Sequence, residues 1–286
     1  MRRLLPALLV LLAAAPALAN DTELHDGAYG PEPVGGGLTG PESVIRMARE
    51  HLGITFGRKA TDVVATFTFV NTLAGQTAHQ LVGFPDFGAA GAEAARRIKR
   101  GQRDIYTDPY DTTKPLLGFS TFVNDRAASA QLKYGYVKPR TDGGPGWTAG
   151  KPGDMLMAWY AVPVDFPPGK EVNVERRYRA PVGDNVLGVT FFKYVTHTGG
   201  VWQGPIGLLV ADVTLADGLT TKDLVWPGEP IPKGMGAGVF PDNSVTMPNK
   251  PAWQIKDPTH MRLVWTDFEP RLQRDRAGFA LVARAK

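Results

Sequence analysis

The sequence predicts an all-β chain: an antiparallel β-sandwich of immunoglobulin-like type, formed as one large or two consecutive sandwiches, with a short helical insertion. Three observations predict it. Apolar and polar residues alternate with a period of two in several stretches, the spacing of a strand with one wet face. The 33 glycines and 24 prolines are spread over many short segments, as numerous turns require. One stretch near 89–101, rich in Ala, Glu, Arg and Lys without a β-branched run, has the composition of a helix, and Gly101 is placed to end it.

The chain opens on Arg2 and Arg3, an apolar stretch from Leu4 to Ala15, Pro16, and then Ala17-Leu18-Ala19. That is the layout of a signal peptide over 1–19 with a small-x-small cleavage site, and it predicts an exported protein, periplasmic or extracellular. The apolar run is shorter than the roughly 20 residues of a spanning helix. With 0 cysteines among 286 residues, cohesion falls to packing alone, which a chain this long can supply. The formal charge of +4 falls to +2 once Arg2 and Arg3 leave. So mild a balance, without a basic stripe, argues against nucleic acid as a partner.

Residues 20–42, with three glycines at Gly35, Gly36 and Gly37, read as an extended N-terminal arm. An N-terminal β region follows over 43–142. It starts on a strand through Ile45 and Met47, then shows clean alternation from Asp62 to Asn71 that makes Phe67 and Phe69 core residues. A return strand over His79–Phe84 predicts an antiparallel pair. The helical insertion comes next, then strands over Leu116–Val123 and Ala130–Val137 around a turn at Asn124-Asp125-Arg126. Residues 143–153, rich in Gly and Pro, read as a linker to a C-terminal β-sandwich region over 154–286. There Met155–Val164 is apolar on both faces, as in a covered central strand. Glu171–Arg179 sets Val172, Val174 and Tyr178 against a charged face. Thr190–Asp212 reads as strand, Gly-rich turn and strand, hence a hairpin whose long connection carries Trp202. Arg262–Trp265 and Phe279–Val282 are short closing strands, and the Pro/Gly-rich stretch 227–251 excludes a central strand.

Several motifs in order carry a resemblance. They are Ile45-x-Met47-x-x-Glu50-x-Leu52-x-Ile54, Phe67-x-Phe69-x-Asn71, Gly83-Phe84-Pro85-Asp86, Tyr178-x-Ala180-Pro181-x-Gly183, Thr198-Gly199-x-x-Trp202-x-Gly204-Pro205-Ile206, and Trp265-x-Asp267-Phe268-Glu269-Pro270. The set is similar to the bacterial secreted proteins catalogued as domain of unknown function 4424. The resemblance implies an exported β protein and brings no catalytic residues with it.

Chemistry is sparse. Without Cys, and with Ser120 in Gly118-Phe119-Ser120-Thr121-Phe122 rather than in a nucleophile elbow, no catalytic residue is assigned. The five histidines show no metal-binding spacing, and the sequence calls for no cofactor. Asp104, Asp108 and Asp111 form a local acidic cluster whose oxygens a calcium ion could use, but the spacing is not that of a known calcium loop and lacks its terminal Glu, which favours a solvated loop. The candidate binding residues are aromatic: Trp147, Trp202 and Trp253, placed in turns or loops, with Tyr106 and Tyr110. For Trp202, plugging a sandwich end is favoured over an exposed contact, and Trp159 and Trp265 are core residues. The reading is a non-enzymatic binding or structural module of the cell envelope, its partner an envelope protein or a polysaccharide. The alternative is a glycan-acting hydrolase that pairs carboxylates in space, with Glu50, Glu175, Asp267 and Glu269 as candidates.

Overall fold

The computed structural model describes residues 17–19, 21–33, 43–102, 114–139, 147–184, 189–226, 253–270 and 278–284. In chain order, the first elements are β1 (Ala17–Ala19), β2 (Thr22–Gly27), β3 (Gly30–Pro33), β4 (Ile45–Phe56), β5 (Ala60–Asn71), β6 (Ala78–Pro85) and α1 (Phe87–Lys99). Then come β7 (Leu117–Val123), β8 (Arg126–Ala128), β9 (Gln131–Pro139), β10 (Trp147–Ala149), β11 (Met155–Phe166) and β12 (Glu171–Pro181). The chain closes with β13 (Gly183–Asp184), β14 (Thr190–Val195), β15 (Ile206–Leu215), β16 (Trp253–Asp257), β17 (His260–Phe268) and β18 (Gly278–Ala283). Among the described residues no helix is long and apolar enough to cross a membrane.

The fold is all-β with one short helix among the described residues, and its sheets pack as a sandwich. One layer is an eight-stranded sheet in the order β16-β17-β15-β4-β5-β12-β7-β8. Facing it lie a six-stranded sheet, β10-β9-β11-β6-β2-β3, and a smaller one in which β14 pairs with β1, β13 and β18. Period-two patterning builds the interior. On β5, Val63, Ala65, Phe67 and Phe69 are buried, and from the opposite layer Val82, Phe84, Val162, Val164, Phe166, Phe192 and Tyr194 join the same core. Each buried apolar side chain contributes about 1.5–3 kcal/mol, which is how a cysteine-free chain coheres. β11 is central, between β9 and β6. Its second face packs Met155, Met157, Trp159 and Ala161 against Leu24 and Val137.

Helix α1 begins where Asp86 caps it: Oδ1 accepts from the Ala89 amide at 2.9 Å, and Oδ2 accepts from the Leu116 amide at 3.1 Å. One carboxylate therefore fixes both the helix and the approach to β7. Asn71 plays a comparable part, donating to the Gln76 and Phe166 carbonyls and so tying the end of β5 to the opposite layer.

Three sequence expectations need correction. First, residues 22–33 are no free arm: β2 and β3 form a hairpin on the edge of β6. β3 lies so close to β9 that a Cβ on Gly30 would meet the Tyr134 carbonyl. Second, β14 and β15 are not a hairpin, because β14 pairs with β18 while β15 pairs with β17 and, in parallel, with β4. The chain between them crosses layers through a 3-10 turn at His197–Val201. Third, β5 and β6 sit in different sheets, since β6 has β11 and β2 as partners. Of the two arrangements left open by the sequence, one large or two consecutive sandwiches, the sheets form the first: β10, within the stretch 143–153, pairs with β9, and strands from both sides of it mix in both large sheets. For β6, β14 and β15 the neighbour in sequence lost to partners from elsewhere in the chain.

Candidate functional site

The site grows from an irregularity at the edge of the eight-stranded sheet. β7 runs antiparallel to β12, but Arg177 stands opposite Ser120 and Arg179 opposite Leu117, so two residues, Gly118 and Phe119, share the place facing Tyr178. Gly118 takes φ +60, the left-handed conformation that costs glycine nothing. The extra residue is a β-bulge. Its effect on phase is specific: Leu116 and Phe119 both turn inward, while Leu117 stays 58% exposed. On the other side of β7, Asn124 and Asp125 at φ 48 and 62 make a tight two-residue turn. The returning β8 covers only Thr121–Val123. The chain then leaves for the opposite layer through Ala130.

A cleft of about 290 Å³ opens in the gap. Its lining is Phe119, Ser120, Thr121 and Phe122 from β7, Ala127–Ala130, and Tyr160 from β11. Tyr160 stacks on Phe119 with centroids 3.8 Å apart and planes 9° apart. Burial first, then the nearby Asp86 and Tyr134, push the Tyr160 phenol up to about 12, so it stays a neutral O–H through the physiological range. The lining residues thus include three aromatic and four hydroxyl-bearing side chains, and among the described residues none that is charged.

Beneath Thr121 lies a buried ion pair. Arg176 and Asp21 are each 0% exposed. Arg176 Nε donates to both Asp21 oxygens at 3.0 and 3.2 Å, Nη1 donates to Thr121 Oγ1 at 2.7 Å, and Nη2 donates to the Val82 carbonyl at 3.2 Å. Charge taken out of water is tolerated only with such partners. Burial pushes the Asp21 carboxyl up, opposed by the guanidinium beside it. Glu50, Tyr178 and Tyr194 extend the polar interior, and both phenols rise well above their ordinary value, first through burial and then through the charge of Glu50.

The aromatic candidates do not converge. Trp202 is 1% exposed and packs on Phe69 with centroids 4.6 Å apart, its Nε1 donating to the Asp21 carbonyl at 2.9 Å. It plugs the interior rather than meeting a ligand. Trp147 and Trp253 are not in loops: Trp147 lies half-buried on β10 against Phe87, and Trp253 half-buried on edge strand β16 against Phe279. Tyr106, Tyr110, Asp104, Asp108 and Asp111 lie outside the described residues. Among the described residues no group of three or more His, Asp or Glu is placed to hold a metal ion. The residues that sequence reasoning missed are Arg176, in phase with Val172, Val174 and Tyr178, and the bulge at Gly118. For Arg176 the signal was strand parity.

Paired carboxylates find no support in the cleft. Glu50 is buried, and Glu175 lies on the other face of the sheet, accepting from Arg177 and Thr66.

A two-layered β protein with a small, uncharged, ring-lined cleft is the class that the geometry defines. No protein-family model matches the chain, and no curated protein matches it. Among solved structures it is similar to a Legionella pneumophila protein that carries the provisional name nutrient binding protein, with a TM-score of 0.53 and 16% identity over 94% of this chain and 71% of that one. At that identity the likeness is one of fold. An M1 zinc metallopeptidase from Deinococcus radiodurans overlaps at a TM-score of 0.31 and 11% identity, over 85% of this chain and 42% of that one, which is too slight to carry an argument.

Proposed function

We propose that the protein is an exported binding module of the cell envelope, one of the secreted proteins catalogued as domain of unknown function 4424, and that it holds a small ligand in the cleft between β7 and Ala127–Ala130. The observation that carries this reading is the cleft itself. A bulge opens it and two stacked rings from different layers wall it, and among the described residues its lining holds no carboxylate or histidine. The name of the Legionella structure agrees with a binding role. Export rests on Arg2, Arg3, the apolar run and Ala17-Leu18-Ala19. Cleavage after Ala19 would also remove β1 from the edge of β14.

Thermal unfolding of the processed protein against a panel of nutrients tests the reading. A ligand at 100-fold its Kd stabilises by about 2.7 kcal/mol, a shift of several degrees for a chain of this size. Ser129→Trp, at an exposed position of the cleft mouth, is expected to abolish the shift without lowering the unliganded Tm. A panel without any stabilising member, or stabilisation unchanged by the variant, would count against the cleft. Mass spectrometry of material from the cell envelope should find Asn20 as the first residue, and an intact leader would refute export by cleavage.

A further inference from the structure

Resting on the cleft as the binding site, we infer that its ligand is a single neutral, hydroxylated ring, the chemistry of one sugar unit. Charge is the first constraint. Among the described residues no ionic side chain lines the space, and the guanidinium beneath it, Arg176, already has Asp21, Thr121 and the Val82 carbonyl as partners. Arg177 sits 4.7 Å from the Phe122 ring but is paired with Glu175. A carboxylate or an ammonium entering here would lose water and meet no counter-charge, a desolvation loss that a neutral solute avoids.

Polarity is the second constraint. Thr121 Oγ1 accepts a charge-assisted hydrogen bond of 2.7 Å from Arg176. With that lone pair engaged, the threonine's own hydrogen is left to donate, and the natural recipient in the cleft is a ligand oxygen. Ser120, Ser129 and the neutral phenol of Tyr160 can donate or accept. A ligand rich in hydroxyl and ether oxygens fits that set. The stacked pair of Phe119 and Tyr160 supplies the apolar wall on which the C–H face of such a ring rests.

Size and edge geometry are the third. About 290 Å³ is at the small end of ligand pockets, which run from about 300 to 1,000 Å³, room inside the cleft for one ring with its substituents. An extended peptide would have to add to β7 along Leu117–Ser120, and there the bulge at Gly118 breaks the ladder that strand addition needs. The source of the ring, free sugar or the end unit of a polysaccharide, shares one chemistry and is separable by experiment.

Saturation-transfer NMR and titration of the processed full chain test the assignment, with methyl glucoside, N-acetylglucosamine and a linear glucose oligomer as sugar probes, and benzoate, phenylalanine and tetra-alanine as contrasts. At least one sugar probe is expected to bind at millimolar concentration or below, at least tenfold more weakly to Ser129→Trp. Thr121→Val should lose about tenfold and Thr121→Ser should recover to within about threefold, with near-ultraviolet circular dichroism confirming that each variant is folded. Tighter binding of the oligomer would support a polysaccharide end as the source, and equal binding a free sugar. Benzoate or phenylalanine bound in place of the sugars, and displaced by Ser129→Trp, would overturn the ligand class while leaving the cleft as a binding site. Tetra-alanine binding that shifts Leu117–Ser120 would overturn it in favour of strand addition. Silence from every probe, with no stabilising nutrient in the thermal panel, would overturn both readings.

Discussion

β5 and β12 run side by side in the eight-stranded sheet, and their inward faces bury different chemistry. On β5 the interior positions hold Val63, Ala65, Phe67 and Phe69; on β12 they hold Val172, Val174, Arg176 and Tyr178. Phe67 stands opposite Val174, while Arg176 stands opposite Ala65, whose small side chain leaves room for the guanidinium. Alternation decides which face turns inward on both strands. What that face contains is a separate matter, and on β12 it includes a cation whose counter-ion arrives from 155 residues away. The apolar strand holds the layers together, and the polar one borders the cleft.

Unfolding in urea separates the two. Phe69→Ala and Arg176→Ala should each cost about 3–5 kcal/mol, the first through a cavity and the second through an unpaired Asp21. The difference lies in rescue. Adding Asp21→Asn to Arg176→Met should recover most of the loss, whereas no single partner change should restore Phe69→Ala; an unrescued double variant would break the distinction. At the next level, Trp202→Phe keeps a ring against Phe69 but leaves the Asp21 carbonyl without its donor, an expected loss of about 1–3 kcal/mol. A Trp202→Phe variant as stable as the parent would show that ring packing alone holds the plug.

Smaller still, Gly118→Ala places a Cβ on a residue at φ +60, for about 1–2 kcal/mol, and should disturb the cleft more than the core. Equal ligand-induced Tm shifts in parent and variant would detach the bulge from the site. The smallest effect lies outside the interior. Hydrogen bonds from the Thr259 amide and then from His260 lower the Asp257 carboxyl to about 2. A lowered folded-state value means that this carboxylate's contribution is in place above the ordinary value of 3.8 and is lost as pH falls through about 2. An NMR titration of Asp257 should give that midpoint, and one near 4 would remove the effect.

Much of the framework was legible because it follows from period and composition. Phe67 and Phe69 alternate with polar residues and are buried; Met155–Val164 is apolar on both faces and central; the helix expected near 89–101 forms over 87–99. The hairpin expected at Thr190–Asp212 failed because local turn chemistry says where the chain bends and not which sheet it enters next. Arg176 was passed over for a related reason: the carboxylate that neutralises it, Asp21, lies 155 residues away in the chain. The cleft was hidden in Gly118-Phe119-Ser120-Thr121-Phe122, which reads as an ordinary strand until its register against β12 is known. The tryptophans drew attention by type, yet the rings that line the cleft are Phe119, Phe122 and Tyr160.

The pairing of Asp21 with Arg176, like the parallel contact of β4 with β15, ties the beginning of the polypeptide to segments synthesised much later. Closing so long a loop is an entropic toll levied before any contact rewards it, and topologies of this kind fold on the slow scale of milliseconds to seconds. The opening strands emerge from the ribosome first and find their seats last. Until β12 and β15 exist, Asp21 has no counter-ion and β4 has β5 alone as a sheet neighbour.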